Sequence, residues 1–196
     1  MKKRIAVTGG IGSGKSVVLA LLKEKGYSTY SCDEISKELF FEAEYIYRID
    51  QAFPSVVKNG EIVRENLREL IFGDEKARMR LNEISHPIIM KRLLARMDND
   101  LGELVFAEVP LLFEGGFEKD FCETIIVKRK IKDRITAICS RDKIGEQDAL
   151  KKIRAQIDYD SEENAKRFRL MNAYLLENNG DLNELKAGLE KILSSL

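Results

Sequence analysis

Eight residues near the N-terminus, Gly9-Gly10-Ile11-Gly12-Ser13-Gly14-Lys15-Ser16, combine the residue types that hold phosphate. Gly9, Gly14, Lys15 and Ser16 meet the spacing G-x-x-x-x-G-K-[ST]. Glycines let a backbone curl until successive N–H groups face phosphate oxygens. A lysine at this place bridges the outer phosphates as a point charge, and the serine hydroxyl ligates Mg²⁺. The run follows an I-A-V-T strand and opens a V-V-L-A-L-L helix, so the positive end of the helix dipole meets the same anion. That context separates a phosphate-binding loop from a chance glycine turn. Lys15 is expected to stand exposed until phosphate arrives.

Four other places carry groups suited to phosphoryl transfer. Asp33 falls just past the second apolar run, on the sheet edge that faces ligands in open α/β folds. There it reads equally as a base for an acceptor hydroxyl or as the N-cap of a helix starting near Ile35. Glu108, at the end of another apolar run, reads as a Mg²⁺-ordering acid or as a surface charge. Arg141 and Arg154, with Lys143, Lys151 and Lys152 nearby, could neutralise charge on a transferring phosphoryl group or form a solvated face. His86, before Pro87, reads as a helix-start residue; His86 and Arg154 also stand as acceptor-binding candidates.

Five short β-rich runs position these groups: Arg4–Thr8, Tyr27–Cys32, Leu104–Val109, Thr124–Val127 and Ala173–Leu176. Helical patterns separate them, which predicts a parallel sheet flanked by helices. The first helix should end at Gly26. The stretch from Glu34 to Gly102 is longer than one crossover needs and reads as a helical insertion. Its apolar faces are Ile62/Val63, Leu67, Leu70/Ile71, then Ala77, Leu81, Ile84, then Ile89, Leu93, Met97. A later helix should bury Ile131, Ile135 and Ile138, and a basic helical hairpin spans about 145 to 169. The last helix opens with a capping box, Asp181 and Glu184, and should bury Leu182, Leu185, Leu189 and Ile192.

The chain of 196 residues suits one α/β domain with insertions. Its 33 basic and 33 acidic residues balance, which gives no global pull towards nucleic acid. No stretch is long and apolar enough to span a bilayer, and the apolar run after Met1-Lys2-Lys3-Arg4 is too short for a signal peptide. Cys32, Cys122 and Cys139 read as reduced thiols of a cytoplasmic protein, and a single histidine excludes a multi-histidine metal site. The absence of N-K-x-D and of L-S-G-G-Q counts against a GTPase and a transporter ATPase. The insertion after the second run and the late basic hairpin are the parts a small-molecule kinase needs: an acceptor-holding part and a water-excluding lid.

Across nearly its whole length the sequence resembles the dephospho-coenzyme A kinase family. The resemblance is carried by T-G-G-I-G-S-G-K-S, C-D-E-I-S-K at Asp33, L-R-E-L-I-F at 67 to 72 and A-R-M-R-L-N-E-I-S-H-P-I-I at 77 to 89. It continues through V-P-L-L-F-E at 109 to 114, S-R-D at 140 to 142, K-I-R-A-Q at 152 to 156 and E-N-N-G at 177 to 180. It implies a P-loop NTPase fold of the α/β class: a five-stranded parallel sheet, a helical acceptor-binding insertion over 35–100 and a helical lid over 142–166. It implies transfer of the ATP γ-phosphate to the ribose 3′-hydroxyl of dephospho-coenzyme A, with Mg²⁺ accompanying ATP and no nucleic-acid or membrane partner. Asp33 would be the base, with Lys15 and the lid-side Arg141 beside the transferring phosphate. ATP would lie on Gly10, Ile11, Gly12, Ser13, Gly14, Lys15, Ser16 and Val17, with Asn178 near the adenine.

Departures are visible too. Ser31-Cys32-Asp33 stands where the family usually has Asp-Ala-Asp, and Val17 where a threonine commonly follows the serine. Asn172-Ala173 replaces Ala-Asp, and Glu177 an aspartate. The competing readings are a nucleoside or nucleotide kinase on the same scaffold and a nucleotide-binding regulator without turnover.

Overall fold

The computed structural model describes residues 2–171 and 173–196, so the Asn172 departure lies outside the described residues. Two compact units are present, one running to Tyr30 and resuming at Met97–Leu196, the other Ser31–Arg96.

The first unit is built on five parallel strands: β1 (Lys3–Thr8), β2 (Ser28–Ser31), β5 (Leu104–Glu108), β6 (Glu123–Lys128) and β7 (Tyr174–Glu177). All five apolar runs became strands, and their order is β2-β5-β1-β6-β7. Central β1 pairs with β5 through Ile5 opposite Phe106, and with β6 through Val7 opposite Ile125. The chain passes to one side of β1 for β2 and β5, then to the other for β6 and β7. The carboxyl end of β1 is therefore the switch point where ligands of such sheets bind.

Helix α1 (Lys15–Glu24) packs Val18, Leu21 and Leu22 on the sheet, beside Leu185, Leu189 and Ile192 of α9 (Leu182–Leu193). As Gly26 predicts, α1 stops there, with the N–H groups of Gly26 and Tyr27 returning to the carbonyls of Lys23 and Leu22. Asp181 caps α9 by accepting from Asn183 N and Glu184 N. Leu182, expected inside, is half exposed, because the first residue of the helix precedes the turn that reaches the sheet.

On α6 (Ile131–Asp142) the expected apolar row is only partly right. Ile131 is exposed and the buried positions are Ile138 and Arg134, one turn earlier. Then come α7 (Glu146–Arg154) and α8 (Glu162–Leu170), the predicted hairpin. Phe113 anchors it, with ring centroids 6.2 Å from Tyr159 and 4.9 Å from Phe168.

The second unit holds α2 (Cys32–Leu39), α3 (Ala43–Ala52), α4 (Arg64–Gly73) and most of α5 (Glu75–Asn99). It also has a hairpin the helical reading missed, β3 (Val57–Lys58) with β4 (Glu61–Ile62). Asn59 and Gly60 have φ of 53° and 78°, the two left-handed residues of a type I′ turn, for which Asn-Gly is the strongest sequence signal. Ile62 is thus a strand residue and Val63 precedes α4, so neither belongs to a helical face.

Pro87 also differs from expectation. No helix starts at His86, because α5 runs straight through the proline. Pro87 removes one N–H donor and crowds the preceding turn. Ser85, Ile89, Leu93 and Met97 nevertheless stay buried at steps of four, and this continuous face outweighs the lost bond. Among the described residues no helix is long and apolar enough to cross a membrane.

Candidate active site

The phosphate loop joins β1 to α1, and side chains from far along the chain fix its shape. Gly14 precedes α1 at φ 97°, a left-handed conformation where a side chain would also strike the Asn178 amide. Asn178 itself donates from Nδ2 to the Ser13 carbonyl at 2.8 Å, and its own N–H bonds to Lys128 O at 2.8 Å. The N-N-G segment after β7 therefore braces the loop. Asn179 continues this by accepting from Lys130 N at 2.7 Å, at the head of α6.

Contrary to expectation, Lys15 is buried, at 8% exposure. Its Nζ donates to the carbonyls of Gly9 and Gly10 at 2.8 and 3.3 Å. A buried ammonium needs such acceptors, and these two carbonyls supply them. Ser16 and Val17 are exposed on the first turn of α1, whereas Ser13 is buried.

Three groups at the loop, Arg134, Gln156 and Tyr159, were not among the site residues singled out from the sequence. Arg134 is only 7% exposed, and burial lowers its pKa, with the acidic side chains of Asp160 and Asp158 opposing the shift. Its Nε donates to Ile11 O at 2.9 Å. Gln156, last residue of K-I-R-A-Q, accepts from Ile11 N at 2.6 Å. The Tyr159 hydroxyl lies 3.4 Å from Thr8 Oγ1, and burial pushes its pKa up to about 12, so it stays a neutral phenol. A signal for Arg134 was present: it sits one helical turn before Ile138, a charge on the apolar side of its helix.

Other predicted residues stand as follows. Arg141, on the last turn of α6, grips Asp142 with two bonds of 2.7 and 3.1 Å, and Lys152 adds a third at 2.6 Å. These hold the Asp142 carboxyl far below the usual aspartate range, the Arg141 bond contributing most. Arg154 is exposed at the end of α7. Glu108 closes β5, on the same edge as the loop, since the strands are parallel. Glu114, in P-L-L-F-E, accepts from Ile157 N at 3.1 Å.

In the helical unit, Asp33 is exposed in the first turn of α2 and is not its cap. Ser31 caps the helix, its hydroxyl accepting from Asp33 N at 3.2 Å. This removes the cap reading of Asp33. Serine is a favoured residue at such a cap. His86 lies half-buried within α5, and burial holds its imidazole below the ordinary histidine range. A groove of about 810 Å³ opens beside α3 and α5, with Arg48, Lys76 and Arg80 along an apolar floor of Ala52, Ile84, Pro87 and Ile88.

A phosphate loop at the switch point of a parallel sheet is the arrangement of the P-loop NTPase fold. Shikimate kinase from Acinetobacter baumannii shares this fold at a TM-score of 0.51 and 15% identity, with 100% of this chain and 93% of that one covered. A structure titled TT1252 from Thermus thermophilus matches with a TM-score of 0.81 at 32% identity, covering 100% of this chain and 98% of that one. The family model described as dephospho-CoA kinase matches residues 3–184. Curated relatives of that name are 32% identical in Thermus thermophilus, covering 98% of this chain and 91% of the relative. In Fusobacterium nucleatum the identity is 33%, with 98% and 97% covered. The chain belongs to the dephospho-CoA kinase family and is an enzyme, a kinase.

Proposed function

We propose that this kinase transfers the γ-phosphate of ATP to the ribose 3′-hydroxyl of dephospho-coenzyme A, giving coenzyme A and ADP in the last step of coenzyme A biosynthesis. The observation that carries this reading is the braced phosphate loop, Gly9 to Ser16, in a chain of that family. Loop N–H groups and the head of α1 receive the phosphates. Lys15 leaves the Gly9 and Gly10 carbonyls for them, exchanging two neutral acceptors for charged ones.

Asp33 takes the proton of the 3′-hydroxyl as the new O–P bond forms and the bond between the γ-phosphorus and the bridging oxygen breaks, releasing ADP. An exposed carboxylate that caps no backbone group is available for that task. Mg²⁺, when bound with ATP, neutralises phosphate charge. Ser16 offers it one hard oxygen, and this ion commonly takes its remaining ligands from phosphate and water. Helices of 35–100 hold the acceptor, and the groove with its basic rim suits the diphosphate and amide-bearing arm of dephospho-coenzyme A. Residues 142–166 act as the lid, with Arg141 on the nucleotide side and Asn178 by the adenine. His86 and Arg154 serve the acceptor. The site of action is the cytoplasm.

The test is an acceptor panel under identical ATP and Mg²⁺, following ADP release, with phosphorus NMR locating the new phosphate. Dephospho-coenzyme A should be phosphorylated at the 3′ position and surpass nucleosides and nucleotides. Turnover with a nucleoside but none with dephospho-coenzyme A would defeat the reading.

A further inference from the structure

Ile11 is held from both sides by residues that lie 123 and 145 positions further along the chain. Its N–H donates to Gln156 Oε1 at 2.6 Å, and its carbonyl accepts from Arg134 Nε at 2.9 Å. These groups belong to successive peptide planes, Gly10–Ile11 and Ile11–Gly12. Each plane is rigid and trans, so its C=O and N–H point in opposite directions. With the Ile11 carbonyl turned to Arg134, the Gly12 N–H is aimed the other way. The guanidinium also fills the place where a side chain on Gly10 would stand, so the loop backbone lies directly against it.

Both holders are fixed in turn. Arg134 is buried on α6, one turn before Ile138. Gln156 lies two residues beyond α7, and the next N–H, that of Ile157, is tied to Glu114. The base of the α7–α8 hairpin is thereby fastened to the loop on one side and to the P-L-L-F-E segment on the other.

We propose that Arg134 and Gln156 are positioning residues: they hold the Ile11 peptides so that the phosphate loop keeps its nucleotide-binding shape before nucleotide arrives. The inference rests on this loop being the nucleotide site. Without the Gln156 acceptor the Ile11 N–H must find another partner, and the loop spreads over other conformations. Apparent affinity falls in proportion to the fraction still competent, while turnover of bound nucleotide is spared. One ordinary hydrogen bond corresponds to a loss of about two- to tenfold.

The test replaces Gln156 by methionine, which has similar length and no comparable acceptor. Calorimetric ADP binding is measured beside steady-state kinetics with ATP and dephospho-coenzyme A. Gln156→Met should raise the Kd for ADP and the KM for ATP by about two- to tenfold. kcat and the acceptor KM should stay at wild-type values. A wild-type Kd with a lowered Tm makes Gln156 merely structural and overturns the proposal, as does a fall in kcat with Kd unchanged. Should this variant fail to fold, Gln156→Asn, one methylene too short to reach Ile11, takes its place. Arg134→Lys keeps the charge and loses the Nε–H, so a wild-type Kd there removes Arg134 from the proposal. Wild-type protein that binds no ADP would defeat the functional reading itself, and the two failures are thus told apart.

Discussion

The phosphate loop and the helical unit of residues 31–96 are held together in different ways. The loop's shape depends on side chains from remote sequence: Arg134 and Gln156 on Ile11, and Asn178 on Ser13. The helical unit relies on shorter reaches, such as the buried bond of 2.8 Å between Tyr45 and Ser85 and the paired bonds of Arg92 to Glu42 and Arg96 to Glu38. A loop cannot bury apolar surface of its own, so its conformation is imposed from outside. Helices carry their apolar faces with them. Chemistry can therefore be written in eight consecutive residues while the geometry that makes it work is spread over the chain.

The largest effect should come from the one proposed chemical group in the helical unit. Asp33→Asn removes charge and proton acceptance while keeping size. If the base is Asp33, the transfer rate should fall by roughly 10²–10⁴-fold. Because Ser31 caps α2, the variant forfeits only a charge in the first turn, at most about 1 kcal/mol of stability. ADP affinity should be unchanged. Near-normal turnover would return all the chemistry to the loop's side of the comparison.

Next is the anchor of the hairpin that carries Gln156. Phe168 is 2% exposed and packs on Phe113 and Tyr159. Phe168→Ala should destabilise the fold by about 3–5 kcal/mol in urea titration. A loss below about 1 kcal/mol would mean that the pocket collapses around the smaller side chain. The remote fastening of the loop would then be weaker than its contacts suggest.

Lys15→Met sharpens the comparison from inside the motif. The rate should drop about 10²–10³-fold, as when one preorganised charge stabiliser is lost. The buried ammonium also bridges the Gly9 and Gly10 carbonyls, so the melting temperature should fall too. A variant that loses rate but no stability would show that those two bonds contribute nothing to the resting loop.

Much of this was legible. The strands followed from β-rich runs between helical patterns, and the phosphate loop from its spacing, because both are local patterns of residue type. What escaped was non-local or depended on competition. Arg134 was not singled out, since its burial depends on the loop that lies over α6. Lys15 looked exposed because a motif does not say which carbonyls its ammonium will meet. Pro87 looked like a boundary, and a face continuous from Ser85 to Met97 overrode it. The Asn59-Gly60 turn was readable but fell inside the stretch from Glu34 to Gly102 read as helical, and Ile62 and Val63, the first members of its first face, lie outside helix α4.

The smallest effect concerns the tie between α6 and α7. Asp142 receives Arg141 and Lys152, and the Arg141 bond holds its pKa far below the ordinary aspartate value of about 3.9. In the unfolded chain Asp142 takes a proton near that value, whereas in the fold it does so only at much lower pH. Between those limits acid favours unfolding, so the contribution is present above about pH 4 and is lost as pH falls. Arg141 is 60% exposed and solvent screens the pair, so Asp142→Asn should cost under about 1 kcal/mol at pH 7. The stability gap between wild type and variant in urea should be equal at pH 7 and 5 and narrower at pH 3. A gap that stays constant down to pH 3 would mean that the ionic tie is absent in solution.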